Sequence, residues 1–129
     1  MKKKLNVSYQ DYRGKIIDIF VSSPKDHCSI VTFNKNSVRG NHFHKKSCQY
    51  TVVLEGKILL ISQKVNKKGK LIGKVKKEIL TELSVAIHKQ RHAHALKALK
   101  KSKALVFVDG IRGGQKYSSD TFRLNQKLI

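Results

Sequence analysis

Five of the six histidines in this chain fall in two short stretches, and each stretch contains an alternating pair. His42 and His44 make the first pair. His88, His92 and His94 make the second group, in which His92 and His94 stand two apart. In an extended strand, residues two apart project to the same face, so each pair sets two imidazoles side by side. If both strands line one enclosed space, four imidazoles converge there. Such a group can hold a divalent metal, or move protons as general acid and base near neutral pH. The same histidines can also be exposed or separately hydrogen-bonded, with no shared site.

The elements that must position them are short and β-rich. Runs dominated by Val, Ile, Thr, Phe and Tyr cover 15–21, 29–33, 49–54, 57–65, 70–75, 78–86 and 104–109. Glu55-Gly56, Lys68-Gly69 and Asp109-Gly110 read as turns between them. Many short strands at regular spacing predict an all-β sandwich or closed barrel in a single domain. Residues 90–101 contain Ala93, Ala95, Leu96, Ala98 and Leu99 and favour helix locally. We nevertheless assign a strand there, because the fold requires one.

At 129 residues the chain is sized for one domain, and 40% hydrophobic residues are enough for a core. No apolar run approaches the ~20 residues that span a bilayer. The basic start Met1-Lys2-Lys3-Lys4 is followed by polar Asn6, Ser8, Gln10 and Asp11 rather than an apolar stretch. Cys28 and Cys48 make no disulfide framework and no CxxC pair. A cytoplasmic protein with no membrane partner is expected. The formal charge of +20 suggests nucleic acid at first sight. However, the excess is mostly lysine spread along the whole chain, and arginine, which reads bases and phosphates by forked contacts, is scarce. The densest stretch, Lys64 to Lys77, reads as a solvated hairpin, so nucleic acid is not the expected partner.

The residues around the first pair carry a resemblance. Gly40-Asn41-His42-Phe43-His44, then Gln49 and Gly56, resembles the first cupin motif, with glutamine where metal-binding cupins carry glutamate. The second cupin motif is degenerate: His92 takes its histidine position, with His94 as an alternative. Within that superfamily, Arg39-Gly40-Asn41-His42-Phe43-His44-Lys45 with Gln49 is similar to a segment of the dTDP-4-keto-6-deoxyhexose 3,4-ketoisomerases, which are WxcM-like and RmlC-like cupins. Asp11-Tyr12-Arg13-Gly14 looks like the opening of those enzymes and of the dTDP-4-dehydrorhamnose 3,5-epimerases. Tyr117, Asp120, Phe122 and Arg123 look like a worn version of their closing motif. The strand before the motif lacks the arginine and tyrosine that the ketoisomerases carry there.

The resemblance implies a jelly-roll barrel (a double-stranded β-helix) over roughly 15–110 with a C-terminal extension over 111–129. It implies a homodimer, a dTDP-sugar substrate and no cofactor. It also implies proton abstraction beside a ketone, with His44 as base and His42 orienting substrate or stabilising the enolate. Arg39, Gln49, His92, His94 and Tyr117 would complete the substrate site. Tyr50, which alternates with Gln49, should face away from the cavity, and Asp11 with Arg13 should form an ion pair in a turn. Two alternatives remain at this point. One is a divalent metal held by His42, His44, Gln49 and His92 or His94; the other is a non-enzymatic module binding sugar or polyanion.

Overall fold

The structure, a computed structural model, describes residues 1–110 and 118–129. Twelve strands follow one another: β1 Lys2–Lys4, β2 Tyr9–Asp11, β3 Gly14–Ile16, β4 His27–Phe33, β5 Val38–Phe43, β6 Cys48–Glu55, β7 Ile58–Val65, β8 Leu71–Leu80, β9 Ser84–His88, β10 His92–Ala98, β11 Ser102–Asp109 and β12 Phe122–Arg123. One sheet has the order β1-β9-β6-β11-β4 and the other the order β12-β5-β10-β7-β8, while β2 and β3 form a separate hairpin. Every pairing is antiparallel. Among the described residues no α-helix forms, and none is long and apolar enough to cross a membrane.

Alternation explains the packing. In β11 the even positions Ser102, Ala104, Val106 and Val108 are buried while the odd ones are half-exposed. Phe33, Val53, Ile58, Leu60, Leu80, Leu96 and their small neighbours close the core between the sheets at one end. A smaller cluster gathers Phe43, Val65 and Ala93 beneath Leu71, Phe122, Leu124 and Leu128. The segment read as an extension thus supplies β12 and part of a core.

The strand assigned against helix propensity is there: β10 lies between β5 and β7, paired on both edges. Tertiary pairing overrides alanine's local preference at such a position. Two boundaries differ from the sequence reading. Residues 17–21 are not strand, so the first run shrinks to β3. The runs 70–75 and 78–86 divide elsewhere, because β8 continues through Lys76 and Lys77 and the chain turns at 81–83. Leu83 takes a left-handed φ of 65° there, and Ser84 N–H donates to Thr81 O. Gly73 is a bulge in β8, not a terminator: β8 carries two more residues than β7 between the pairs Ser62↔Lys76 and Lys64↔Ile72. Asp11 and Arg13 pair at 2.7 Å at the β2–β3 turn.

A second bulge shapes the site. His94 pairs with His42, but its neighbour Ala95 pairs with Gly40, leaving Asn41 as the extra residue. Gly40 and Asn41 both have positive φ, 93° and 57°. Asn41 uses its amide to accept from Leu128 N–H at 2.8 Å and its carbonyl to accept from Leu124 N–H at 3.0 Å, which anchors the last residues. A side chain at Gly40 would stand 2.6 Å from the His94 carbonyl oxygen, which is backbone and cannot step aside. Gly40→Ala is therefore expected to cost about 2 kcal/mol or more, read as a lower urea midpoint at unchanged slope. A midpoint equal to that of the parent would contradict this account of the bulge.

Candidate active site

The bulge turns His42 and His44 inward, where they meet histidines from both sheets. His42 lies 4.9 Å from His44 and 4.8 Å from His94, measured between ring centroids. His44 and His94 are 5.3 Å apart, and His88 stacks on His94 at 4.2 Å. All four rings are buried. The fourth member is His88, from β9 of the facing sheet, not His92. The reason is register: His92 precedes the part of β10 that pairs with β5 and sits opposite Lys64 of β7. His92 lines a different cleft.

A cavity of about 420 Å³ opens between β4 and β11 on one sheet and β5 on the other. His42 forms part of its wall, with Gln49, Arg39, Arg123, His27 and Ser29 around it. Gln49 is buried, and its amide N–H reaches Thr51 Oγ1 at 3.4 Å; Thr51 in turn bonds His88 Nε2 at 2.9 Å. Arg39 lies at the rim, donating to Thr32 O at 3.1 Å and stacked 5.4 Å over Phe33. Tyr50 faces away, packed edge-on against Phe20 with Lys25 above its ring. Burial first, then its Cys48 and Asp109 neighbours, push the Tyr50 hydroxyl up to about 12. Tyr117 lies outside the described residues.

His44 is placed differently from the sequence reading. It is fully buried and lies behind His42, not on the cavity wall. Its Nδ1 is 2.7 Å from the Asp120 carbonyl oxygen. A carbonyl only accepts, so Nδ1 carries the proton, and in the neutral ring Nε2 carries the lone pair. His42 has the opposite arrangement. Arg123 Nη1 approaches its Nδ1 at 3.4 Å, and a guanidinium only donates, so the neutral His42 carries its proton on Nε2. His94 is held well below the usual imidazole range by burial and then by His88, His42 and His44, so it is neutral.

Asp120 fixes this corner. Its carboxylate accepts from the backbone N–H groups of Lys45, Lys46 and Ser47 at 2.9, 2.9 and 2.7 Å, and from Ser47 Oγ at 2.6 Å. Burial alone would raise its pKa, but these four donors outweigh it and bring the value down to about 2. The sequence reading noted Asp120 and Arg123 only as motif fragments and gave them no role. His27 and Ser29 were missed, although the alternation His27, Ser29, Val31, Phe33 along β4 is the signal that sends all four inward.

The family model for the polysaccharide biosynthesis C-terminal domain matches residues 9–122. The chain belongs to that family. No curated protein sequence matches it significantly. Among solved structures, the dTDP-4-dehydrorhamnose 3,5-epimerase of Sulfolobus tokodaii is 22% identical with a TM-score of 0.72, over 88% of this chain and 70% of that one. The sugar 3,4-ketoisomerase QdtA of Thermoanaerobacterium thermosaccharolyticum, solved with TDP, is 17% identical with a TM-score of 0.74, over 97% and 88%. The capsular polysaccharide assembling protein CapF of Staphylococcus aureus is 19% identical with a TM-score of 0.66. The match covers 95% of this chain but only 33% of CapF, so this family member spans about a third of that protein. At these identities the likeness establishes the fold, a cupin-type jelly roll.

Proposed function

We propose that this family member binds a dTDP-linked 4-keto-6-deoxyhexose and isomerises or epimerises it by moving a proton beside the ketone. One observation carries the reading: two adjacent imidazoles, His44 with Nδ1 on the Asp120 carbonyl and His42 with Nδ1 beside Arg123, the latter on the wall of a cavity flanked by two guanidinium groups. The C–H next to a ketone is acidified, and its removal gives an enediolate. That step needs a positioned base and a donor to the developing oxyanion. His44 Nε2 is the base in this scheme, and His42 Nε2–H is the donor. Because His44 is buried behind His42, the scheme requires the His42 ring to shift when substrate binds. Arg39 and Arg123 supply positive charge at the mouth, suited to a pyrophosphate. Gln49 supplies an amide for a sugar hydroxyl.

The reading includes a cytoplasmic homodimer. Support for the dimer is the outer edge of β4, which is unpaired among the described residues and carries Ile30, 69% exposed. Calorimetric titration tests the substrate class. Saturable binding of dTDP, with UDP at least about tenfold weaker, is the expected result. Absence of nucleotide binding at physiological salt would sink the proposal.

A second reading is favoured by one specific feature. One ring nitrogen from each of His42, His44 and His94 lies within 4.8 Å of the others, and His94 Nε2 has no hydrogen-bond partner among the described residues. These three fit a divalent cation of imidazole preference such as zinc. Bound there, the ion would supply a Lewis acid that polarises the substrate carbonyl. Stoichiometric metal in untagged protein, together with loss of nucleotide-sugar turnover on chelation, would favour this reading over the metal-free one.

A further inference from the structure

A second cleft, of about 430 Å³, opens on the other flank of the sandwich, between β7 and β8 of one sheet and the end of β9 on the other. We propose that it is a binding site for oligophosphate anions, separate from the histidine cavity. Lys64, Lys74, Lys76 and Lys89 line it, with His92 and Ser62. No carboxylate lines it. Lys76 lies 3.8 Å from Glu78, but Lys64, Lys74 and Lys89 have no ion pair among the described residues. The net charge of the chain does not by itself produce this arrangement, because the lysines here are gathered by a built feature. The Gly73 bulge, with φ 76°, lets β8 bend, and Gln63 Nε2–H closes it by donating to Gly73 O at 3.0 Å. Lys74, within the bulge, and Lys76, at its end, both line the cleft with Lys89. His92 commits Nδ1 to the Gln90 carbonyl at 3.0 Å, which leaves Nε2 for a ligand.

The ligand class follows from the donors. Lysine ammonium groups are compact point charges that suit phosphate oxygens from several directions. The lining holds no arginine and no Phe, Tyr or Trp, so nothing there stacks on or reads a nucleobase. Recognition is therefore of linked phosphates, whether free or carried on a nucleotide. A concave cleft also favours a short chain of phosphates over a long duplex.

The test is titration of the full chain with inorganic tripolyphosphate at about 150 mM salt, where exposed charges are screened beyond roughly 8 Å. Three samples are compared: the parent, a Lys64→Ser/Lys74→Ser/Lys89→Ser variant, and a control with equal charge loss at exposed sites elsewhere, Lys15→Ser/Lys35→Ser/Lys127→Ser. The parent should bind tripolyphosphate saturably. The cleft variant should bind at least about tenfold more weakly, and the control less than about threefold more weakly. Replacing the same three cleft lysines with arginine keeps the charge and should keep binding, which separates lost recognition from lost folding. ATP should match tripolyphosphate within about threefold. Equal losses in the cleft and control variants, no saturable binding by the parent, or much tighter binding of ATP would each overturn the proposal. The cleft variant should keep the preference for dTDP over UDP, which a cleft with no group to read a base cannot supply, so failure here and failure of the sugar-isomerase reading are told apart.

Discussion

Replacing His44 with asparagine is expected to slow proton exchange at the carbon beside the substrate ketone by about 10² to 10⁴-fold, while leaving nucleotide binding within about threefold of the parent. The expectation follows from position and tautomer together. His44 donates Nδ1–H to the Asp120 carbonyl, so its remaining nitrogen is an acceptor in the neutral ring. It adds nothing to the cavity wall, so its loss should spare ground-state binding. His42→Asn should behave differently. That ring forms part of the wall and is the proposed donor to the substrate oxygen, so both binding and exchange should suffer. If His44→Asn retained exchange while His42→Asn abolished it, the roles would be reversed and His42 would be the base.

The second large effect is on stability. Asp120→Ala leaves the buried Ser47 N–H, the partly buried N–H groups of Lys45 and Lys46, and the Ser47 hydroxyl without their acceptor. Each charge-assisted bond of this kind is worth more than a neutral one, and the donors left behind keep their desolvation cost. A loss of about 3 to 4 kcal/mol is expected in urea unfolding. The pH dependence gives an independent check. The Asp120 carboxyl ordinarily titrates near 3.8 and is held at about 2 in the folded chain. Because the folded value is the lower one, its contribution is present above the unfolded value and is lost as pH falls through the folded one. That contribution is about 2 kcal/mol at neutral pH. The parent should therefore lose this much between about pH 4 and pH 2, and Asp120→Asn should lack that part of the slope. A variant within about 1 kcal/mol of the parent would contradict the cradle as described.

Strand alternation made His42, His44 and His94 legible, since period two is a property of the backbone alone. The same argument admitted His92 and did not bring in His88. The difference lies in where β5 stops pairing with β10, and only the assembled sheet sets that. The bulge at Gly40 and Asn41 was hidden for the same reason: a one-residue insertion is visible only against a partner strand. Arg123 and Asp120 come from the far end of the chain and reach the site because β12 pairs with β5. No local pattern encodes that return. Helix propensity in 90–101 pointed the wrong way, and the requirement for a strand between β5 and β7 pointed the right way. The lysines between Lys64 and Lys77 read as a solvated run. A bulge that no periodicity announces folds several of them around a concavity.

The measurement that bears most directly on the central claim is deuterium uptake from heavy water into a dTDP-4-keto-6-deoxyhexose, followed by NMR at C3 with parent and His44→Asn protein. The account predicts uptake at C3 catalysed by the parent, strongly reduced in the variant although dTDP still binds. No uptake with the parent, on protein shown by calorimetry to bind the nucleotide, would contradict it: the chain would hold a sugar nucleotide without moving its proton.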